Sequence, residues 1–67
     1  MNTKQFVETR NEDLKVGDAV DVLGLKRIVA IRPYKGPLAD IIFALADTDI
    51  GCGFSLERGG YTRVVQP

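Results

Sequence analysis

After Val16 the chain is interrupted by glycine or proline at positions 17, 24, 33, 36, 37, 51, 53, 59 and 60, and between the breaks apolar residues recur at every second position. A period of two turns alternate side chains to one face, the pattern of a half-buried strand rather than of an amphipathic helix. Glycine and proline favour backbone angles unsuited to continuing either regular structure, so the breaks read as turns. A chain divided this way is confined to short strands, and its fold class is all-β.

Val16, Val20 and Val22 share one parity while Asp21 points away, giving a first strand that Gly24 ends. LKRIVAIRPY, with β-branched Ile28, Val29 and Ile31, is a second strand stopping at Pro33, which has no amide to donate. PYKGPLA is a loop with Tyr34 near its start. DIIFALAD is a third strand, with Ile41, Phe43 and Leu45 on one face and Ile42, Ala44 and Ala46 on the other; its short length favours strand over helix. Asp47, Thr48, Asp49 and Gly51 are turn formers. CGFSLE alternates again with Cys52, Phe54 and Leu56 together, Arg58-Gly59-Gly60 is a tight hairpin turn, and YTRVVQ is the fifth strand. Residues 1–10 form an N-terminal arm, ordered to the extent that Phe6 docks. NEDL, Asn11 to Leu14, makes one turn in which Asn11 accepts backbone N–H bonds. The expected organisation is the arm 1–10 followed by a small five-stranded barrel over 11–67.

At 67 residues the chain is one domain at most, and folding buries only about 60% of the surface the unfolded chain exposes. With 45% hydrophobic and 27% charged residues it is too apolar to be disordered throughout. Nine basic side chains balance nine acidic ones, so no overall field draws it to phosphate backbones or acidic membranes. The charges are unevenly placed: Lys26, Arg27, Arg32 and Lys35 precede Asp40, Asp47, Asp49 and Glu57, and as strand neighbours the two groups neutralise each other. One cysteine makes no intramolecular disulfide, the N-terminal segment has no signal-like apolar core, and no apolar run nears the roughly 18 residues of a membrane span. The expected setting is the cytoplasm, away from membranes.

DLKVGDAVDVLG resembles the first strand of SH3-like barrels, including the KOW and Tudor-type modules that open on Gly-Asp-x-Val-x-Val and a following glycine, here Gly17, Asp18, Val20, Val22 and Gly24. LKRIVAI then lacks the second glycine that KOW modules usually carry. In size and pattern the chain is also similar to short SH3-like proteins of tailed phages and prophages. The resemblance implies an SH3-like barrel acting as a binding or accessory protein.

The chemical motifs are incomplete. A calcium loop opened by Asp47 and Asp49 needs glycine at its sixth position and glutamate at its twelfth, where Cys52 and Arg58 stand. Gly51-Cys52-Gly53 begins a nucleotide loop that Leu56 fails to complete. Cys52 has no histidine to activate it in a chain without histidines, and its strand position makes it a small buried hydrophobe. A barrel this small leaves little room for a pocket of about 300 Å³. No catalytic residue, metal or cofactor is therefore expected.

What remains is binding. Loops at barrel ends and exposed aromatics nominate Tyr34, Lys35, Asp47, Asp49, Tyr61 and Arg63 as protein-contact residues. The alternative is an RNA- or DNA-binding module in which Lys26, Arg27, Arg32 and Lys35 meet phosphates while Tyr34 stacks on a base; a solvated strand face is the blander reading and is favoured. The second and third strands look apolar on both faces, so an outward remainder, either Ile28 with Ala30 or Val29 with Ile31, together with Ile42, Ala44 and Ala46, lies beneath the N-terminal arm, which offers only Phe6 and Val7 as cover, or forms a contact surface for a partner or a second copy.

Overall fold

Period-two segments must find hydrogen-bond partners outside themselves, and in this chain they do so in one antiparallel sheet. The computed structural model describes residues 5–66. In chain order these form β1 (Gln5–Arg10), a 3-10 turn (Asn11–Asp13), β2 (Ala19–Asp21), β3 (Leu25–Pro33), β4 (Ile42–Thr48), β5 (Gly53–Glu57) and β6 (Tyr61–Gln66). The spatial order is β1-β6-β2-β3-β4-β5. The chain is all-β, as its alternation requires, and β3 ends at Pro33.

Two expectations fail for one reason. The segment 5–10 is a strand, pairing residue by residue with β6 from Gln5 opposite Gln66 to Arg10 opposite Tyr61, so the sheet has six strands rather than five. Because β6 lies between β1 and β2, neither of its sides is left for β5. The turn Arg58-Gly59-Gly60 thus joins strands that do not pair, the expected hairpin is absent, and the sheet does not close into a barrel. Phe6 does not dock in the core: it is 42% exposed on the outer face, 6.0 Å from the Arg63 guanidinium to its ring centre. Met1 to Lys4 lie outside the described residues.

Where the core sits is decided by two bulges. Ile28 opposes Thr48 and Ala30 opposes Asp47, leaving Val29 as the extra residue. An extra residue reverses parity, so Ile28 is buried and Ile31 also packs inward, while Val29 is half exposed. Neither expected outward pair, Ile28 with Ala30 or Val29 with Ile31, exists as such. The second shift, between Ile42 and Ala44, makes Phe43 the extra residue, and its ring packs against the core. Ala44 and Ala46, expected outward, are buried, whereas Ile41 lies outside β4 and is exposed.

The buried cluster is Leu14, Val20, Ile28, Ala44, Ala46, Leu56 and Val64. Val7, Val64 and Val20 stand opposite one another across β1, β6 and β2, a row of apolar pairs on three strands. Val16 stays 58% exposed because it precedes the turn at Gly17 rather than lying on β2. Cys52 is exposed for the same kind of reason: β5 starts at Gly53, so only Phe54 and Leu56 of the expected trio reach the core.

Candidate functional site

The gap between β5 and β6 organises an open groove on the surface. At its closed end Asn11, buried, replaces a ladder: its N–H donates to the Gly60 carbonyl (2.9 Å), its Nδ2 to the Glu57 carbonyl (3.0 Å), and its Oδ1 accepts from Thr62 Oγ1 (2.6 Å). A side chain at Gly60 would meet Asn11 Nδ2, so glycine is required for the close approach. Glu12 adds a further tie by accepting the Gly59 N–H at 3.0 Å, and this bond holds its carboxyl below the usual glutamate range. Asn11 therefore does not cap its own turn, as the sequence suggests; it fastens the start of the chain to the turn between β5 and β6.

Away from Asn11 the gap widens into a groove of about 700 Å³ lined on one side by Phe54, Ser55 and Glu57 and on the other by Tyr61, Thr62 and Arg63. A closed barrel of this size leaves little room for such a space; the open sheet provides it. Asp21 at the end of β2, with Val22 and Leu23 of the turn that follows, forms its third wall. Leu23 is fully exposed at φ 55, a left-handed conformation costly for a branched side chain. An exposed leucine held in an unfavourable backbone at a groove rim is a feature that packing of the chain itself does not explain.

The six protein-contact candidates do not form one site. Tyr61 and Arg63 line the groove. Tyr34 and Lys35 follow β3 at the other end of the β3–β4 ladder from Asp49, since Pro33 opposes Ala44 whereas Ile28 opposes Thr48. Tyr34 donates its N–H to the Phe43 carbonyl (3.1 Å), and its ring lies over Gly36, where a side chain would collide with it. Asp47 belongs to β4 rather than to a turn, and both its oxygens accept from Arg32, Nε at 2.8 Å and Nη2 at 3.0 Å. That pairing raises the Arg32 pKa. Asp49 ties the following turn to β3, accepting the Arg27 N–H (3.1 Å) and donating its own to the Arg27 carbonyl (3.0 Å).

The basic segment is largely occupied by the chain's own acceptors, although of its four cations only Arg32 is met by one of the acids that follow, Asp47. Lys26 Nζ donates to the Val22 carbonyl, Arg27 Nη1 to the Gly17 carbonyl, and Arg32 to Asp47. Lys35 is exposed in the loop. Among the described residues no cluster of His, Cys, Asp and Glu is arranged to hold a metal ion, and no helix is long and apolar enough to cross a membrane.

Sequence reasoning missed Asn11, Asp21, Leu23, Phe54, Ser55 and Glu57 as groove residues. The one available signal was Leu23, a large apolar residue beside Gly24 in a turn. Comparison with protein-family models, with curated proteins and with solved structures found no match.

Proposed function

We propose that this chain is a small non-enzymatic binding or accessory protein whose contact surface is the groove between β5 and β6. The observation that carries this reading is the groove itself: a concave surface pairing exposed Tyr61 and Leu23 with the charges of Asp21, Glu57 and Arg63. Aromatic and arginine side chains beside a desolvatable hollow are the composition of contact hot spots. The meander β2–β3–β4–β5 with β6 returning beside β2 accords with an SH3-like arrangement left open at one seam. A cytoplasmic setting and a phage or prophage origin extend the same proposal, and the neighbouring genes test the latter.

The test is a photo-crosslinking amino acid at Tyr61, with Tyr34 as the control position, in a lysate of the source cell. A protein adduct at 61 that excess unlabelled chain competes away and that Arg63→Glu abolishes is the expected result. Equal adducts at both positions, or none, count against the groove. The nucleic-acid alternative through Lys26, Arg27, Arg32, Tyr34 and Lys35 predicts binding to mixed RNA and DNA at low salt that falls steeply as salt rises. With three of the four cations already bonded within the chain, the expectation is no such binding.

A further inference from the structure

β5 is an edge strand with one side of its backbone facing the groove, and the hydrogen bonds at its ends fix which residues look outward. The Cys52 carbonyl accepts from Thr48 N–H, so the residue before β5 turns its carbonyl toward β4. The Glu57 carbonyl instead accepts Asn11 Nδ2 and Gly60 N–H, away from β4. In an antiparallel ladder these orientations alternate, which turns the backbone groups of Gly53 and Ser55 to the same side as the Glu57 carbonyl. Asn11 and Gly60 thus occupy the last acceptor of an outward row, and among the described residues the sheet order supplies no strand to continue it.

We infer that the groove takes an extended peptide of a partner protein, which adds to the sheet as a strand on the free edge of β5 and places a lysine or arginine between Asp21 and Glu57. Strand addition derives affinity from main-chain bonds and specificity from alternate side chains. Here the main-chain partners are Gly53 and Ser55, and alternate side chains of the guest meet the walls of the groove. Two acids against the single base Arg63 give the groove an acidic excess that a cationic side chain complements. Leu23, fully exposed at the rim, covers the apolar part of the guest. The proposal rests on the groove reading above and adds the class of partner.

The experiment selects from a library of random displayed heptapeptides on the immobilised full chain, then titrates the best peptide into isotope-labelled protein. The expected selection alternates β-branched residues with a lysine or arginine, and the amide signals of Gly53, Ser55 and Tyr61 shift. Binding weakens at least tenfold when alternate peptide amides are N-methylated but not when the intervening ones are, and at least tenfold in Glu57→Lys. Ser55→Pro removes one outward amide without touching the β4 ladder and weakens binding likewise, with its circular-dichroism spectrum unchanged. Shifts at Tyr61 and Phe54 that ignore backbone methylation and Ser55→Pro overturn strand addition while leaving the groove as a binding surface. Selected acidic peptides overturn the charge assignment. Failure to select any peptide, or shifts confined to Tyr34 and Asp49, overturns both the proposal and the groove reading. Concentration-dependent dimerisation without peptide, abolished by Ser55→Pro, assigns the edge to a second copy and overturns the peptide.

Discussion

β1 and β5 both lie at an edge of the sheet, yet different forces hold them. β5 sends Leu56 into the core at 1% exposure and packs Phe54 beside it, so one of its faces is buried although its edge is bare. β1 has no buried residue: its backbone pairs along its whole length with β6, while Phe6 and Val7, on opposite faces, are each more than 40% exposed. A strand can thus be fixed by side-chain burial or by its ladder alone, and only the first kind can offer its free edge without being lost itself. Edge strands invite pairing with other chains unless charge or curvature discourages it. β1 carries Glu8 and Arg10 along its edge, whereas the one charge of β5 is Glu57 at its C-terminal end.

The sharpest way to break this comparison is to truncate one side chain on each strand. Leu56→Ala should cost about 3 kcal/mol in urea-monitored unfolding, through lost burial and the cavity left behind. Phe6→Ala should cost under about 1 kcal/mol, because its ring is already wetted and its contact with Arg63 is exposed. Equal losses would mean that β1 is anchored by something other than its ladder.

Asn11→Ala falls between them, at roughly 1.5 kcal/mol, because the Thr62 hydroxyl loses its acceptor and the Glu57 carbonyl keeps only the Gly60 N–H near the closed end of the groove. The same variant sharpens the comparison, since Asn11 ties the segment after β1 to the turn after β5; loosening it should raise amide exchange at Gly60 and Thr62 more than at β3 and β4. In the unmodified protein, amides of β1 should exchange through local opening well before those of the β3–β4 ladder. Uniform protection across the sheet would remove the distinction between the edges.

The smallest effect concerns Glu12. Its carboxyl pKa is lowered on folding, chiefly by the Gly59 N–H, so the carboxylate adds stability above the unfolded value and loses it as pH falls through the folded one. Glu12→Gln should lower stability slightly at neutral pH and converge with the wild type as pH falls below about 4, so that part of the acid decline is flattened. An identical acid profile in wild type and variant would show that the Gly59 bond contributes nothing.

Much of the candidate groove was out of reach of the sequence. Tyr61 and Arg63 were legible as exposed residues of an alternating segment, but Phe54, Ser55 and Glu57 join them only because β5 and β6 fail to pair. Cys52 and Asp47 were misplaced for a simpler reason: strand ends depend on where the partner strand stops, and both residues sit one step from such a boundary. The inward faces of β3 and β4 were unreadable because a bulge adds one residue and reverses every side chain beyond it.

The sequence by itself determined that the chain is all-β, that β3 stops at Pro33, and that one base of β3, Arg32, would be met by an acid after it, because these follow from local backbone preference and from charges carried on adjacent segments. Tertiary structure alone decided which strands become neighbours. Each strand has only two hydrogen-bonding sides, and once β1 and β2 had taken both sides of β6, the edge of β5 was left free whatever its own residues preferred.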